Sequence, residues 1–174
     1  DWMYENPELG FQEFKTSKHL VDYIQKNSKS VNYPSHGLET AFDVTFGEDG
    51  PLVVICVEYD ALPEIGHACG HNIIATASIG AGLGLKDIAS KLGIRVKLLG
   101  TPAEEGGGGK IILINEGAFE DASCSMMIHP GYEDVVNPTF TTIEQYTVEY
   151  FGKDAHAAGA PDQGINALDA QIQL

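Results

Sequence analysis

The apolar positions of this chain fall into two kinds of pattern. One continuous apolar run, 52–57, is typical of a strand buried on both faces of a sheet, and two further stretches, 94–99 and 122–128, are also predicted to be buried strands. Three other stretches have helical spacing or are rich in small apolar residues, which predicts helices; they are 8–27, 73–91 and 108–117. Residues 41–46 alternate like a further strand. Strands alternating with helices predict an α/β fold, with a mostly parallel, twisted sheet and helices on both faces.

Two local patterns refine this prediction. The first helix is expected to begin at Asn6-Pro7-Glu8, which combines a capping side chain, a proline and an acid. Beyond residue 138 the pattern of apolar and polar residues changes. Residues 141–150 alternate like a half-exposed antiparallel strand, and a helix is expected to begin near Gln163. Residues 139–174 therefore predict the start of a second, smaller α+β domain after a first domain at 1–138.

Charge and cysteine content narrow the function classes. The chain has 25 acidic and 10 basic residues, a formal net charge of −15, which repels nucleic acid and anionic membrane surfaces. No apolar run approaches the roughly 20 residues of a membrane span. Three widely separated cysteines argue against a disulfide framework and favour a reducing, cytoplasmic compartment. Two of them lie within apolar runs and are expected in the core, Cys56 and Cys124.

Polar side chains follow each of the three buried strands. Glu58 and Asp60 come directly after the first strand, Glu104-Glu105 after the second and His129 after the third. The carboxyl ends of parallel strands meet at one edge of an open α/β sheet, where ligands bind. Three segments that are distant in sequence are therefore expected to converge on one crevice.

The loop after the first strand also contains Cys69 and His71. Thiolate, imidazole and carboxylate together are the ligand set of zinc and its neighbours, and Gly70 permits a sharp turn between the two side chains. Alone, the pair could be a buried thiol and a surface histidine, and Cys69 could be a nucleophile. The two other polar segments favour metal ligation. Other histidines are expected at the surface or behind the ligands: His19, His36 and His67.

Glu104 and Glu105 are neighbouring carboxylates, which repel each other unless a positive charge compensates them. A metal ion could bind one of them and leave the other as a general base, whereas the alternative is a solvated acidic turn. The glycines that follow, up to Lys110, lack the spacing of a phosphate-binding loop.

His129 would be interpreted as a structural residue if the other two polar loops were not expected beside it. Asp60 could orient a ligating imidazole.

Four motifs carry a family resemblance: residues 58–63, 67–72, 100–105 and 152–158. Together they resemble the zinc aminoacylase/carboxypeptidase superfamily, a group of metallopeptidases, and within it the amidohydrolase branch with a cysteine-containing metal site. The run Glu58-Tyr59-Asp60 and Asn72 resemble its dipeptidases. The resemblance implies a catalytic α/β domain with an inserted lid domain that mediates dimerisation. Residues 1–138 would be the N-terminal part of the catalytic domain, and 139–174 the beginning of the lid.

The resemblance also implies roles for single residues. It implies four ligands for two divalent metal ions, with zinc expected and manganese or cobalt as alternatives: Cys69, His71, Glu105 and His129. Glu104 would be the general base, supported by Asp60. His156 would polarise the scissile carbonyl, often across a dimer interface. Relatives have a further helical segment before residue 6 and a fifth ligand, a histidine, after the lid, so the chain is expected to be a fragment that is inactive in isolation.

The implied reaction is hydrolysis of an amide bond in a dipeptide or an N-acyl amino acid, with dipeptides that end in a basic residue favoured, by a homodimeric enzyme. Hydrolysis of N-acyl amino acids or of aminobenzoyl-glutamate is the alternative within the enzyme class. From another class, a non-catalytic binding protein on the same scaffold stays open. A purely structural zinc site is disfavoured, because such sites are usually closed by four ligands and would leave Glu104 without a role.

Overall fold

The structure is a computed structural model that describes residues 1–28, 31–136, 138–142, 144 and 146–174. The chain divides into two compact units, Asp1–Glu133 and Asp134–Leu174. Within the described ranges, no helix combines the length and the apolar character that crossing a membrane would require.

The first unit is built on a four-stranded sheet. Its strands are β1 (Asp43–Phe46), β2 (Leu52–Val57), β3 (Arg95–Gly100) and β4 (Ala122–Met126). They lie in the order β1-β3-β2-β4. β2 runs parallel to both β3 and β4, whereas β1 is antiparallel to β3. Among the described residues of this unit, five helices accompany the sheet: α1 (Trp2–Glu5), α2 (Phe14–Asn27), α3 (His71–Leu85), α4 (Ala89–Leu92) and α5 (Gly109–Asn115). The predicted α/β class with a mostly parallel sheet is confirmed.

Both faces of the sheet are covered. On one face, buried residues of α2 and α3, among them Ile24 and Ile79, pack with Val96 and Leu98 of β3. On the other face, Leu113 of α5 packs in a second buried cluster with residues of β2 and β3. Removal of this apolar surface from water stabilises the unit and fixes the sheet edge from which the polar loops emerge.

The predicted start of the first long helix is wrong. α2 begins at Phe14, six residues beyond Glu8. The carboxylate of Glu8 nevertheless caps this helix from a distance, since its oxygens accept hydrogen bonds from the backbone N–H of Lys15 (3.2 Å) and Thr16 (2.7 Å). A carboxylate at this place satisfies amides that have no partner within the helix. Glu8 therefore contributes to the helix start through the fold of the chain and not as a neighbouring residue.

The predicted burial of the last strand is also wrong. In β4 only Ala122 is partly buried, and Cys124 is exposed instead of lying in the core. β4 is the outermost strand of the order, with β2 on one side. A strand at a sheet edge has one side without a neighbour, so its side chains are less covered. Cys56 in the central strand β2 is buried as expected.

The second unit contains a 3₁₀ turn at Pro161–Gln163 and a short helix, α6 (Ala167–Ile172). The helix expected near Gln163 begins at Ala167, after this turn. The alternating stretch 141–150 is not a strand at its described positions, and the predictions at Ile143 and Gln145 lie outside the described residues. A lone extended segment gains no ladder hydrogen bonds. The antiparallel pairing that the unit does have joins Lys153 to Ile165.

Candidate metal-dependent active site

The three polar loops converge at one edge of the sheet. In the ladders Val57 lies opposite Gly100, and Ile55 lies opposite Met126, so β2, β3 and β4 end side by side. The backbone N–H of Thr101 also donates to the carbonyl of Val57 at 2.8 Å, which ties the first two loops together where they leave the sheet. The three polar loops therefore lie side by side at the carboxyl ends of the strands, as expected.

His71 lies at the centre of these loops. It is fully buried at the start of α3, directly after Gly70, whose φ of +83° suits glycine. Its Nδ1 lies 2.9 Å from the carbonyl oxygen of Asp60 and 3.0 Å from Asp60 Oδ1. Both of these atoms accept hydrogen bonds, so Nδ1 carries a proton and donates it. In the neutral ring this tautomer leaves the lone pair on Nε2, the nitrogen through which it can bind a metal.

Three carboxylates surround His71 Nε2. The distances from this nitrogen are 3.4 Å to Glu58 Oε2, 3.7 Å to Glu105 Oε1 and 3.8 Å to Glu104 Oε2. Nε2 and the first two oxygens are buried and have no hydrogen-bond partner among the residues that the structure describes. Buried polar groups that lack a partner are costly, and lone pairs that face one another need a positive charge between them. The arrangement fits a bound divalent cation.

Cys69 and His129 complete the ligand set on the other side of His71. Cys69 Sγ lies 3.4 Å from His129 Nε2, while His129 Nδ1 lies 2.8 Å from the carbonyl oxygen of Pro130. Two groups of three residues each bring one ligand atom per residue within 4.8 Å of one another. The first group is Cys69, His71 and His129, and the second is Glu58, His71 and Glu104. A thiol, two imidazoles and carboxylates are ligands that zinc and related ions accept. Two adjacent groups therefore share His71.

Asp60 connects two of the predicted ligands. One of its oxygens accepts from His71 Nδ1, and the other, Oδ2, accepts from the backbone N–H of Glu105 at 2.9 Å. Burial by itself would raise the pKa of Asp60, but these hydrogen bonds outweigh burial and lower it. An ionised Asp60 thus orients an imidazole and a loop at once, the arrangement typical of residues behind a metal ligand. Its predicted orienting position matches this geometry.

The electrostatics of the site favour a cation. Burial by itself would lower the pKa of His71, but the hydrogen bond to Asp60 and the negative charge of Glu58 outweigh it and raise the pKa. Burial, a hydrogen bond to Glu105 and the neighbouring carboxylates raise the pKa of the Cys69 thiol to about 12. A cation that binds here as a thiolate complex displaces that proton, so protons and metal compete for the site.

An ion pair at the site escaped the sequence analysis. Lys110, at the start of α5, forms an ion pair with the buried carboxylate of Glu58. Glu58 is only 1 % exposed, so this lysine compensates a charge that would otherwise be expensive to bury. The glycines before Lys110 gave no signal for this contact, because the partner lies 52 residues away. His67 is also buried, and burial, with the charge of His71 as a further cause, lowers its pKa.

His156 belongs to the second unit and is exposed. Its Nδ1 lies 3.2 Å from the backbone N–H of Ala158 and 2.9 Å from that of Gly159, both of which donate to it. Since Nδ1 accepts, the neutral ring carries its proton on Nε2. The ring is therefore fixed in a tautomer whose outer nitrogen is a hydrogen-bond donor.

Known proteins with related sequences are hydrolases. The chain is 40% identical to the Xaa-Arg dipeptidase of Mus musculus, over 98% of the chain and 43% of the relative. It is 31% identical to one component of the p-aminobenzoyl-glutamate hydrolase of Escherichia coli K12, over 98% of the chain and 40% of the relative. No family model matches the chain. The chain spans less than half the length of these curated relatives.

Solved structures agree with these sequence relatives. A Bacillus subtilis protein described as a dinuclear metal-binding peptidase of the M20 family matches with a TM-score of 0.63 and 27% identity. The match covers 71% of the chain and 38% of that protein.

Proposed function

Because the chain belongs to the metallopeptidase–amidohydrolase superfamily, we propose that it forms the metal-binding part of an enzyme that hydrolyses an amide bond in a dipeptide or an N-acyl amino acid. The observation that carries the proposal is the buried, partnerless Nε2 of His71, which faces three carboxylates. A structural zinc site has no need of so many acidic groups, because it is usually closed by four ligands.

The proposed metal site holds two divalent ions through Cys69, His71, Glu105 and His129, with zinc as the expected metal and manganese or cobalt as alternatives. A mixed set of thiolate, imidazole and carboxylate accepts each of these ions. The similarity to a dinuclear peptidase supports the number of ions. Bound there, the ions would supply Lewis-acid chemistry to the scissile carbonyl.

Glu104 is the proposed general base. Its side chain is 42% exposed, so it can reach both the substrate and solvent, whereas Glu105 is 20% exposed and Glu58 is buried. Glu104 would take a proton from the attacking water and pass it to the nitrogen of the departing amine. A positioned base of this kind contributes about 10²–10⁴-fold. Glu105, whose backbone is held by Asp60, would remain a ligand throughout.

His156 is the proposed donor to the oxygen of the scissile carbonyl. Its outer nitrogen carries the proton in the tautomer described above, which suits an oxyanion donor, and loss of one such donor costs roughly 3 kcal/mol. We propose that the second unit is the beginning of a lid domain and that the enzyme acts as a homodimer through this domain. A native molecular mass of two chains, measured by light scattering on the intact protein, would support the dimer; a monomer would refute it.

The favoured substrates are dipeptides with a basic C-terminal residue. The Xaa-Arg dipeptidase at 40% identity supports this class, and the net charge of −15 attracts cationic substrates. The second candidate is an aminobenzoyl-glutamate or N-acyl amino acid, which the 31% identical p-aminobenzoyl-glutamate hydrolase component supports.

A substrate panel tests the proposal. The intact protein, loaded with zinc, would be assayed on dipeptides that end in arginine, lysine, leucine or glutamate, and on aminobenzoyl-glutamate. A higher kcat/KM for the basic dipeptides, lost in Glu104→Gln, is the expected result. Preference for aminobenzoyl-glutamate would select the second candidate. A metal-loaded protein that hydrolyses none of these amides would refute the enzymatic proposal and leave a binding protein on the same scaffold.

A further inference from the structure

Glu13 is a fully buried carboxylate for which the proposed chemistry has no use. It stands at the position before α2, where a side chain would ordinarily cap the helix, yet it makes no such hydrogen bond. Glu8 provides that cap instead, through the N–H groups of Lys15 and Thr16. The side chain of Glu13 is thereby available for contacts elsewhere in the fold.

The carboxylate of Glu13 reaches the loop that carries the proposed base. Its Oε1 accepts a hydrogen bond from the backbone N–H of Ala103 at 2.8 Å, across 90 residues of sequence. Ala103 directly precedes Glu104 and has a φ of +56°, a left-handed conformation that is strained for a residue other than glycine. Such a conformation persists only where the surroundings enforce it. The hydrogen bond that Ala103 donates to Glu13 is one of the contacts that enforce it.

The other oxygen of Glu13 connects to the loop after β2. Oε2 accepts a hydrogen bond from the Thr40 hydroxyl at 2.9 Å, and the backbone oxygen of Thr40 accepts from the Tyr59 hydroxyl at 2.6 Å. Tyr59 is fully buried and stands between Glu58 and Asp60 in sequence. A continuous buried path of hydrogen bonds therefore runs from one polar loop to the other, with Glu13 in the middle.

Residues near Glu13 in the sequence contact the same two loops through a hydrogen bond and through close packing. The carbonyl of Glu8 accepts from the N–H of Ala61 at 2.8 Å. A Cβ at Gly10 would lie 3.0 Å from Ala103 Cα, and one at Gly107 would overlap the Phe11 ring. Residues 8–13 are thus in close contact with both loops.

We propose that Glu13 is a positioning residue that holds Glu104 and Glu105 in place through Ala103 and couples that loop to Asp60 through Thr40 and Tyr59. The inference rests on the proposed function for its catalytic consequence only. Its structural content, the fixation of the 101–107 loop by Glu13, can be measured without substrate.

Hydrogen exchange is the direct test. In Glu13→Leu the N–H of Ala103 loses its acceptor, and its exchange should accelerate about 10-fold or more, the equivalent of one buried charge-assisted hydrogen bond. Ile24→Val is the matched control, because it removes a buried methylene from α2 but no hydrogen bond, and lowers stability by about 1 kcal/mol. The amide of Ala103 should remain protected in this control. Equal exchange at Ala103 in both variants would overturn the proposal.

Metal affinity and kinetics extend the test. Glu13→Leu should bind zinc about 10-fold more weakly and lose kcat with little change in KM, since the loop presents a base and a ligand. Glu13→Gln should restore most of each loss, because its amide oxygen can still accept from Ala103. Failure of this rescue, or an unchanged zinc affinity in Glu13→Leu, would refute positioning.

If Glu13→Leu does not fold, Thr40→Val replaces it in the hydrogen-exchange test. Thr40→Val should accelerate exchange in the loops in the same direction, whereas loops that stay protected would refute the path of hydrogen bonds. Loss of protection in a protein that hydrolyses no amide would refute the proposed function and leave the fixation of the loop intact.

Discussion

Asp60→Asn is the substitution that tests the geometry of the site most sharply, because it changes two hydrogen bonds and hardly any volume. The two oxygens of Asp60 accept separately from His71 Nδ1 (3.0 Å) and from the N–H of Glu105 (2.9 Å). Asparagine keeps one acceptor oxygen, and its NH₂ group must face one of the two donors. One hydrogen bond is therefore lost, and the charge that strengthened the other is removed.

The size of the effect follows from these contacts. Asp60 is 1 % exposed, and a buried hydrogen bond to a charged group contributes about 1.5–3 kcal/mol. We expect a loss of that order in the free energy of unfolding, measured by urea denaturation of the metal-free protein. Metal affinity should fall about 10–100-fold, because a residue that orients a ligand is lost. A chelator competition assay on the same samples measures this fall.

Asp22→Asn is the matched control. Asp22 pairs with Lys18 on the surface of α2, with its side chain 44% exposed, and such a pair contributes about 0.3–0.5 kcal/mol. Asp22→Asn should leave metal affinity unchanged. If Asp60→Asn bound metal as tightly as Asp22→Asn does, the assignment of Asp60 as the residue that orients His71 would be refuted.

Three further predictions follow from the structure. Glu104→Gln should keep its metal and lose turnover, whereas Glu105→Gln should lose both; equal metal content in the two variants would contradict the separation of roles. Burial raises the pKa of Glu13 above its ordinary value of 4.5, so its ionisation favours the unfolded chain. The stability that this group contributes is present below that value and is lost as pH rises through the folded pKa. Glu13→Gln should therefore gain stability relative to the wild type as pH rises above the ordinary value of 4.5, and a difference independent of pH would refute this. In α3, a Cβ at Gly82 would lie 2.5–2.7 Å from a leucine side chain of β3. A Cβ at Gly80 would have no described atom within 4 Å. Gly82→Ala should cost about 1–3 kcal/mol and Gly80→Ala should gain about 0.5–1 kcal/mol in urea denaturation, and equal effects would contradict the packing.

The central strands of the sheet were predictable from the sequence because their signal is local. β2 spans the predicted residues, Leu52–Val57, since a strand buried on both faces leaves a continuous apolar run. β4 shows where this inference fails. Its residues were predicted to be buried like those of β2, but its place at the end of the sheet order leaves Cys124 exposed, and sheet order is a property of the whole fold.

The site was predictable to the extent that its groups follow strand ends. Cys69, His71 and His129 were expected together, and the structure places them together. The pairing of Glu58 with Lys110 and the contact of Glu13 with Ala103 were not foreseen, because they join residues 52 and 90 positions apart. Local patterns carry no information on such contacts.

Metal content per chain tests the proposed metal site most directly. Inductively coupled plasma mass spectrometry would be applied to the intact protein, to Cys69→Ser and to the exposed-cysteine control Cys124→Ser. We predict about two divalent ions per chain, a clear loss in Cys69→Ser and no loss in Cys124→Ser. An absence of metal, or equal content in all three proteins, would contradict the proposed metal site.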